Sequence, residues 1–410
     1  MIQQQPGSKK LVSLSDSSQP LLLNRTPSTE NSSGKVTDLL CFSHLRWNFV
    51  YQRPQHLLSR ASNEWRTWFW EEPIWGDRTW LEIRQMSNQR YVVVPHLQHG
   101  ISKEAIDNQQ RDWVHHLLDQ YHITDYIAWY YTPMSLSFTE DLSPRLTVYD
   151  CMDELSAFRG APPQLRNRER QLMQRADLIF TGGYSLFEAK RALHQAVYAF
   201  PSSIDFDHFA RARKNLPDPA DQQPVAAPRI GFSGVIDERF DTELLGAIAA
   251  RRPEWQFMLI GPVVKINPDI LPKGPNLHYI GLKSYNELPA YFSHWDVAML
   301  PFALNESTRF ISPTKTPEYL AAGLPVVSTA IQDVVTSYGR YDPVWIADSV
   351  NSFEQGISEA LINRSSLDWS GVDTFLNNHS WDRTWTAMQE LIEGKLKLSA
   401  SLSDSLKSLE

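Results

Sequence analysis

Residues 305–329 read NESTRFISPTKTPEYLAAGLPVVST, and no other part of the chain narrows the choice of fold as much. Pro317 suits the first turn of a helix, and Gly323 is typical of a helix end. The apolar run from Val326 predicts a buried strand directly afterwards. A short helix that returns at once to a buried strand is typical of a sheet with helices packed on its faces.

The same alternation of strands and helices continues outward from this stretch. Strands are predicted at 38–42, 67–70, 91–94, 126–131, 146–150, 178–181, 196–200, 229–232, 256–260, 278–281, 297–300 and 326–328. Residues 214–228, KNLPDPADQQPVAAP, carry four prolines and few large apolar side chains, which predicts a linker. We therefore expect two doubly wound, Rossmann-like α/β domains that face a common cleft.

The predicted domain boundaries follow from composition. Residues 1–34 are rich in Ser, Gln, Asn and Pro and are predicted to be disordered, as is the tail 398–410. The first domain is predicted at 35–213 and the second at 229–379. Residues 380–397 have one apolar helical face, which packs either back on the first domain or on the second.

Composition excludes several classes of protein. The net charge is −8 and no Lys/Arg stripe stands out, which argues against extended binding of nucleic acid. Two cysteines are too few for a disulfide framework or a cysteine-ligated metal site, and they fit a cytosolic compartment. No signal pattern or membrane-spanning run is evident, so we expect a cytoplasmic protein, with peripheral association with the inner face of a membrane left open.

The loop and helix of 305–329 also form a candidate anion site. Arg309 and Lys315 precede a helix that we expect to begin near Thr316, where free backbone amides and two cations suit a diphosphate. Glu318, in the first turn, is placed to accept hydrogen bonds from a ribose diol. The structural alternative is that these charges pair with each other and that Glu318 only complements the helix dipole.

Two carboxylates follow a predicted strand of the first domain. Asp150 and Asp153 come at the carboxyl edge of the first sheet, where the cleft is expected. Asp153 can serve as a general base toward an acceptor hydroxyl, or can hold sugar hydroxyls. The alternative is a capped helix start, because Asp is a good N-cap.

Two further loops of the first domain are candidates. The loop 43–56, SHLRWNFVYQRPQH, is long, basic and aromatic, and it offers His44, Arg46, Trp47 and Arg53 to an acceptor or a donor phosphate. Gly182 and Gly183 follow a strand and precede a helix, so their amides could bind a sugar or phosphate. Surface or structural roles for the loop and a tight turn for the glycines are the alternatives.

Three motifs in order resemble the donor-binding half of GT-B glycosyltransferases of group 1, the GT4-like type. They are GFSGVIDER at 231–239, LIGP at 259–262 and SPTKTPEYLAAGLPVVST at 312–329. The resemblance covers nearly all of 35–395 and is looser in the first half. It implies an acceptor-binding first domain and a donor-binding second domain.

Carried over by position, the resemblance implies a set of site residues. Arg239 and Lys315 would neutralise the leaving diphosphate, and Asp150 or Asp153 would act near the acceptor. The implied donor-binding residues are Gly234, Gly261, Tyr279, Leu282, Arg309, Ser312, Thr314, Thr316 and Glu318.

This chain departs from the family pattern at three positions. Val235 stands where an arginine is common, and Met152 where a histidine is common. Phe310 occupies the earlier position of a usual glutamate pair, for which Glu306 is a candidate replacement if the loop is shifted.

The resemblance implies a metal-independent glycosyltransferase without a cofactor. Its donor would be a nucleoside-diphosphate sugar, with UDP favoured, and its acceptor a glycan or glycolipid in cell-surface polysaccharide assembly. Neither a GxGxxG dinucleotide motif nor a Walker or HExxH motif is present. Two alternatives stay open: a nucleotide-sugar epimerase or phosphorylase on the same fold, and a degenerate nucleotide-sugar binding protein.

Overall fold

The computed structural model describes residues 11–14 and 36–407, and its strands form two sheets. The first sheet contains β1 Leu11–Leu14, β2 Asp38–Phe42, β3 Arg66–Trp70, β4 Ile74–Gly76, β5 Trp80–Ser87, β6 Arg90–Gln98, β7 Tyr126–Tyr130, β8 Leu146–Cys151, β9 Leu178–Thr181 and β10 Val197–Ala199. The second contains β11 Arg229–Ser233, β12 Gln256–Ile260, β13 Leu277–Gly281, β14 Val297–Leu300, β15 Val326–Thr329 and β16 Val344–Ala347.

Both sheets are doubly wound, which places ligand sites at predictable loops. The second sheet runs β13-β12-β11-β14-β15-β16 with all neighbours parallel. The first has a parallel core, β6-β3-β2-β7-β8-β9-β10, extended by the antiparallel strands β5 and β1. In each sheet the winding reverses beside its first parallel strand, β2 or β11, and ligands bind beyond the carboxyl ends there.

Helices cover both faces of each sheet. They are α1 Arg53–Ala61, α2 Lys103–Gln120, α3 Leu136–Thr139, α4 Leu165–Arg175, α5 Tyr184–Lys190, α6 Phe206–Ala210, α7 Thr242–Arg251, α8 Leu288–Phe292, α9 Lys315–Ala321, α10 Gln332–Tyr338, α11 Val350–Asn363, α12 Ser370–Asn377 and α13 Trp381–Lys407. Asp241 caps α7, with its carboxylate accepting from the amide of Leu244. Within the described residues, no helix has the length and apolar character needed to cross a bilayer.

The first sheet has a core on each face. Leu39 and Cys41 of β2 lie in one apolar cluster, and the alternate residues Leu40 and Phe42 lie in the other. A sheet covered on both sides is typical of parallel α/β proteins.

The chain crosses between the domains twice. Ile204 and Phe209 already pack in the core of the second domain, so the predicted end of the first domain at residue 213 is about ten residues too late. The cause is that Phe209 and its apolar neighbours are buried against α8 and α9 rather than the first sheet. Trp381 and Trp385 of α13 return to the core of the first domain. The crossings are joined where the Ile204 amide donates to the His379 carbonyl at 3.0 Å.

The structure also corrects both predicted disordered ends. Leu11–Leu14 forms an edge strand antiparallel to β5, because a short run of Leu and Val suffices to extend a sheet. The rest of 1–34 that falls outside the described residues stays a prediction. Helix α13 continues to Lys407 through most of the tail predicted to be disordered, since residues 398–407 contain neither Gly nor Pro to end it.

Candidate active site between the two domains

A cavity of about 710 Å³ lies between the two domains, at the carboxyl ends of both sheets. Its first-domain wall is the loop after β2, from Trp47 to Tyr51. Its second-domain wall comes from the ends of β11 and β12 and from the loop after β13. The second-domain lining residues include Ser233, Gly234, Gly261, Pro262, Leu282, Lys283, Tyr285 and Lys315. Both walls are therefore at the winding reversals where ligands bind in such sheets.

Gly234 and Gly261 bring two strand ends into direct backbone contact. The Gly234 amide donates to the Ile260 carbonyl at 2.9 Å. Gly261 has φ +140°, and a Cβ there would overlap the carbonyl oxygen of Gly234. Only glycine fits at Gly261, so this part of the cavity wall presents backbone rather than side chains. A ligand can approach the main chain closely there.

Lys315 and Glu318 form an ion pair beside this backbone wall. Lys315 is the first residue of α9 and lines the cavity, and its Nζ lies 2.9 Å from Glu318 Oε2. Glu318 is buried, which raises the pKa of its carboxyl, while the Lys315 charge lowers it in part. The two side chains face the same side, as the donor hypothesis requires, although the pairing itself also fits the structural alternative.

Helix α9 is fixed to β11 by Tyr319. The Ser233 amide donates to the buried Tyr319 hydroxyl at 2.6 Å. Thr314 is the N-cap residue of α9 without a side-chain capping bond, and the fully buried Thr316 hydroxyl has no hydrogen-bond partner among the described residues. The start of α9 therefore retains polar groups that the described chain does not satisfy.

Six of the nine predicted donor residues are not among the residues that line the cavity: Tyr279, Arg309, Ser312, Thr314, Thr316 and Glu318. Arg309 is a surface residue whose guanidinium lies 4.0 Å from the exposed Glu306 carboxylate, so neither side chain reaches the site as expected. Tyr279 donates its hydroxyl to the Pro272 carbonyl at 2.9 Å and turns away. The Ser312 carbonyl is used in a contact with the first domain, accepting from Ser202 Oγ at 2.7 Å.

Arg239 does not line the cavity; it lies at the domain boundary with its charge already paired. Its guanidinium binds Asp237 in a bidentate manner, at 3.0 Å from Nε and 2.7 Å from Nη2. It also lies over the ring of Phe158, a first-domain residue, 5.3 Å from the centroid. Lys265 lies over the same ring at 5.4 Å. The second domain thus places two cations against the loop that follows β8.

Asp153 lies on that loop, opposite these cations. Burial raises the pKa of Asp153 to about 6, and the positive charges of Arg239, Arg53 and Lys265 oppose that shift. The loop is braced from within the first domain, because Lys190 Nζ lies 2.7 Å from Glu154 and 2.8 Å from Glu169. Asp153 is therefore a half-buried residue on a fixed loop at the domain boundary.

The structure corrects the prediction that Asp150 acts in the cleft. Its carboxylate is fully buried and bound by Arg53, 2.8 Å from Nη2, and Arg53 Nη1 also donates to the Phe200 carbonyl at 2.7 Å. Arg53 is equally buried and is not a cleft residue. The reason is that α1 begins at Arg53 and points this side chain under the end of β8. The pair holds the first domain together.

The other predicted residues of the loop 43–56 have different roles: some hold the loop in place and others line the cavity. Arg46 donates to Glu71 and to the carbonyl of Glu72, at 3.2 and 2.8 Å, so it ties the loop to the segment after β3. His44 does not line the cavity, and burial lowers the pKa of its imidazole to about 4. Trp47 lines the cavity with the four residues after it.

The glycine turn at 182–183 is filled by neighbouring protein. A Cβ on Gly182 would lie 2.6 Å from the Met152 carbonyl oxygen, and one on Gly183 would overlap the carboxylate of Asp333 in the second domain. Gly182 therefore fits the alternative of a tight turn that needs glycine. Gly183 lies at a contact between the domains instead of at a ligand site. Asp333 carries no local motif, so its contact with a residue 150 positions earlier was not predictable from sequence.

Sequence reasoning also missed the aromatic wall of the cavity. The His208 ring stacks on Tyr285 at 4.3 Å, and Tyr51 of the first domain lies 4.7 Å from the same ring. These residues are far apart in sequence and belong to no common motif. In the described part of the chain, no group of three or more His, Cys, Asp or Glu side chains could hold a metal ion.

Comparisons with known proteins find relatives of the second domain in sequence. Residues 227–363, nearly the whole second domain, match the family described as Glycosyl transferases group 1. The chain is similar to the putative teichuronic acid biosynthesis glycosyltransferase TuaH of Bacillus subtilis (strain 168), with 28% identity over 201 residues, 44% of this chain and 50% of that relative. The match thus spans about half of the relative's length.

Solved structures share the fold across both domains. Sucrose-phosphate synthase of Thermosynechococcus elongatus superposes with a TM-score of 0.63 at 15% identity, over 89% of this chain and 100% of that one. HepE of Anabaena, in complex with UDP and glucose, gives a TM-score of 0.61 at 13% identity, over 87% of this chain and 99% of that one. At such identities the likeness establishes the fold alone.

Proposed function

We propose that this chain, which has the GT-B fold and whose residues 227–363 match the family described as Glycosyl transferases group 1, is a glycosyltransferase. It transfers a sugar from a nucleoside-diphosphate sugar, with UDP favoured, to a glycan or glycolipid. The transfer uses no metal and no cofactor. The UDP complex of HepE, a protein of the same fold, supports the choice of nucleotide.

One observation carries the proposal: Lys315 lines the interdomain cavity together with the backbone wall formed by Gly234 and Gly261, and the buried Glu318 is paired with it at 2.9 Å. A diphosphate needs close backbone approach together with a cation, and both meet here. Lys315 stabilises the charge that develops on the leaving diphosphate. Glu318 is then released from Lys315 and accepts hydrogen bonds from the ribose.

Arg239 has a secondary role in this proposal. Its bidentate bond to Asp237 neutralises most of its charge, so it contributes less to the diphosphate than Lys315 does. Its position over Phe158 instead brings it to the acceptor side of the boundary.

Asp153 is our candidate for the general base. A pKa of about 6 leaves the carboxylate mostly ionised at pH 7 and a stronger base than an ordinary Asp, which suits proton removal from an acceptor hydroxyl. The name of the Bacillus relative, a teichuronic acid biosynthesis protein, supports an acceptor in cell-surface polysaccharide assembly. We place that work at the cytoplasmic face of the membrane.

The test is a panel of nucleotide sugars, with binding measured by thermal shift and turnover by release of nucleoside diphosphate in the presence of glycan and glycolipid acceptors. We expect UDP-sugars to raise the melting temperature and UDP to be released only with an acceptor, with EDTA making no difference. Lys315→Ala should abolish both effects, and Lys273→Ala, an exposed lysine outside the cavity, should not.

Other outcomes select the alternatives. An isomerised nucleotide sugar without UDP release would indicate an epimerase. Binding without turnover across the whole panel would indicate a degenerate binding protein, and the absence of any nucleotide effect would refute the donor site.

A further inference from the structure

A carboxylate of the second domain accepts three hydrogen bonds from the first domain, beside one from the Ser312 side chain of its own domain. Asp333, near the start of α10, accepts from the backbone amides of Tyr184 and Ser185 at 2.9 and 3.0 Å, and from the Ser185 hydroxyl. Asp333 is only 2% exposed. No cation is among the hydrogen-bond partners that the described chain gives it, so its charge is balanced by hydrogen bonds, three of which cross the domain boundary.

The same boundary is closely packed around Asp333. Gly183 has φ −166°, which any residue can adopt, so its lack of a side chain serves space rather than backbone conformation. A Cβ on Gly183 would overlap the Asp333 carboxylate and would lie 2.9 Å from Ser312 Cβ. Beside it, Ser202 donates to the Ser312 carbonyl at 2.7 Å.

Phe310 adds an apolar contact to this boundary. It packs against the first-domain cluster that contains Leu40 and Phe42. Phe310 stands where the family pattern has the earlier glutamate of a pair, so a position expected to bind ligand contacts the opposite domain instead. Phe310, Ser312 and Asp333 together form what we call the seam.

The seam is directly coupled to the cavity. Ser312 lies only three residues before Lys315, and the segment between them is the loop that enters α9. Any displacement of the seam therefore moves the ammonium that faces the donor.

We propose that Asp333 is a positioning residue that latches the two domains in the arrangement in which the cavity is complete. A buried carboxylate has a stable state on either side of the motion: three donors of the first domain satisfy it when the domains are closed, and water satisfies it when they are open. An apolar contact between the domains would lack this property, because its side chains are not stabilised by water when the domains open. Its effect on catalysis rests on the function proposed above, but the latch itself does not.

The sharpest test is Gly183→Ala, which inserts one methyl group into the seam without changing any charge. Spin labels on Glu104→Cys and Asp269→Cys, two exposed positions at the carboxyl-end sides of the two sheets, report the interdomain distance. Cys41 and Cys151 are buried, so labelling is confined to the introduced cysteines. The matched control is Gly76→Ala, where a Cβ meets no atom within 4 Å.

We expect a longer mean distance and a broader distribution for Gly183→Ala and for Asp333→Asn, with the control unchanged. Ser185→Ala removes one of the three bonds from the first domain and should give a smaller change of the same sign. Unaltered distance distributions in both Gly183→Ala and Asp333→Asn, in protein that melts cooperatively, would overturn the latch.

A kinetic readout separates positioning from simple loss of stability. An open cavity holds the donor less well, so Asp333→Asn should raise the donor KM several-fold more than it lowers kcat at saturating donor. Equal loss of kcat at all donor concentrations would contradict a latch. The distance measurement needs no substrate, so it judges the latch even if no transfer is found.

Discussion

The two walls of the cleft use similar residues in different ways. Behind the first-domain wall, in the interior of that domain, Arg53 is bound by Asp150 and Lys190 by two glutamates. On the second-domain wall, the Lys315–Glu318 pair lies at the cavity beside exposed backbone. Charged residues of the first domain thus stabilise its structure, whereas the charged pair of the second domain remains accessible to a ligand.

This difference shows that the role of a charged residue depends more on its interaction partner than on the position of the residue in the sequence. Asp150 and Asp153 are three residues apart, yet one is locked to Arg53 beneath the strand end while the other lies at the domain boundary. Substitutions on the two walls should therefore separate stability from binding.

The largest expected effect is on stability, from Asp150→Asn. It leaves the Arg53 guanidinium buried without a carboxylate, and breaking a buried pair in this way costs about 3–5 kcal/mol. Urea denaturation should show the loss, while Asp269→Asn, at an exposed aspartate, should unfold like the wild type. A midpoint unchanged by Asp150→Asn would mean that the first-domain pair is not structural.

The next effect is on binding, from Lys315→Ala. Loss of a charge-assisted hydrogen bond to phosphate should weaken UDP affinity by roughly 10- to 100-fold, as measured by calorimetry. The urea midpoint should change far less than for Asp150→Asn. A large loss of stability with unchanged UDP affinity would show that Lys315 has a structural role rather than a role in binding.

The pH dependence of Asp153 gives a third effect. If it is the base, transfer should decline as the pH falls through about 6 and the carboxylate becomes protonated, and Asp153→Asn should remove activity at every pH. The native pKa lies above the unfolded value, so the protonated carboxyl stabilises the fold below about pH 4 and that contribution is lost as pH rises through 6. Asp153→Asn should therefore raise the melting temperature at pH 7; a lower melting temperature would contradict the burial argument.

The smallest effect is expected from Arg46→Ala. Arg46 is partly exposed and braces a surface loop through Glu71, so its removal should cost at most about 1 kcal/mol. UDP affinity should be unchanged, because Arg46 does not line the cavity. A tenfold loss of UDP affinity in Arg46→Ala would show that the loop containing Arg46 does contribute to donor binding.

The sequence was most informative where function and fold use the same short segment. The motifs around Gly234, Gly261 and Lys315 predicted both the second sheet and the residues that line its cavity, because each glycine or cation belongs to a strand–turn–helix unit. The parallel strands were predictable for a similar reason, since their apolar runs are local. The strands β1, β4, β5 and β16 were missed.

The rest depended on contacts between distant residues. Whether Asp150 faces solvent is decided by Arg53, which lies 97 positions earlier. The seam joins Asp333 to Ser185 over 148 positions, and no pattern near either residue indicates the other. Whether a charged residue is structural or accessible to a ligand is therefore decided by its partner and by contacts between the domains, not by its residue type.

Hydrogen exchange with and without UDP tests the central claim most directly, because it reports which backbone amides the nucleotide covers. We predict protection of the backbone amides of residues 233–235, of Gly261 and of residues 314–316 and 318 in the wild type, and its loss in Lys315→Ala. Protection confined to the first domain, or protection of those segments that persists without Lys315, would contradict the assignment of the diphosphate to this wall.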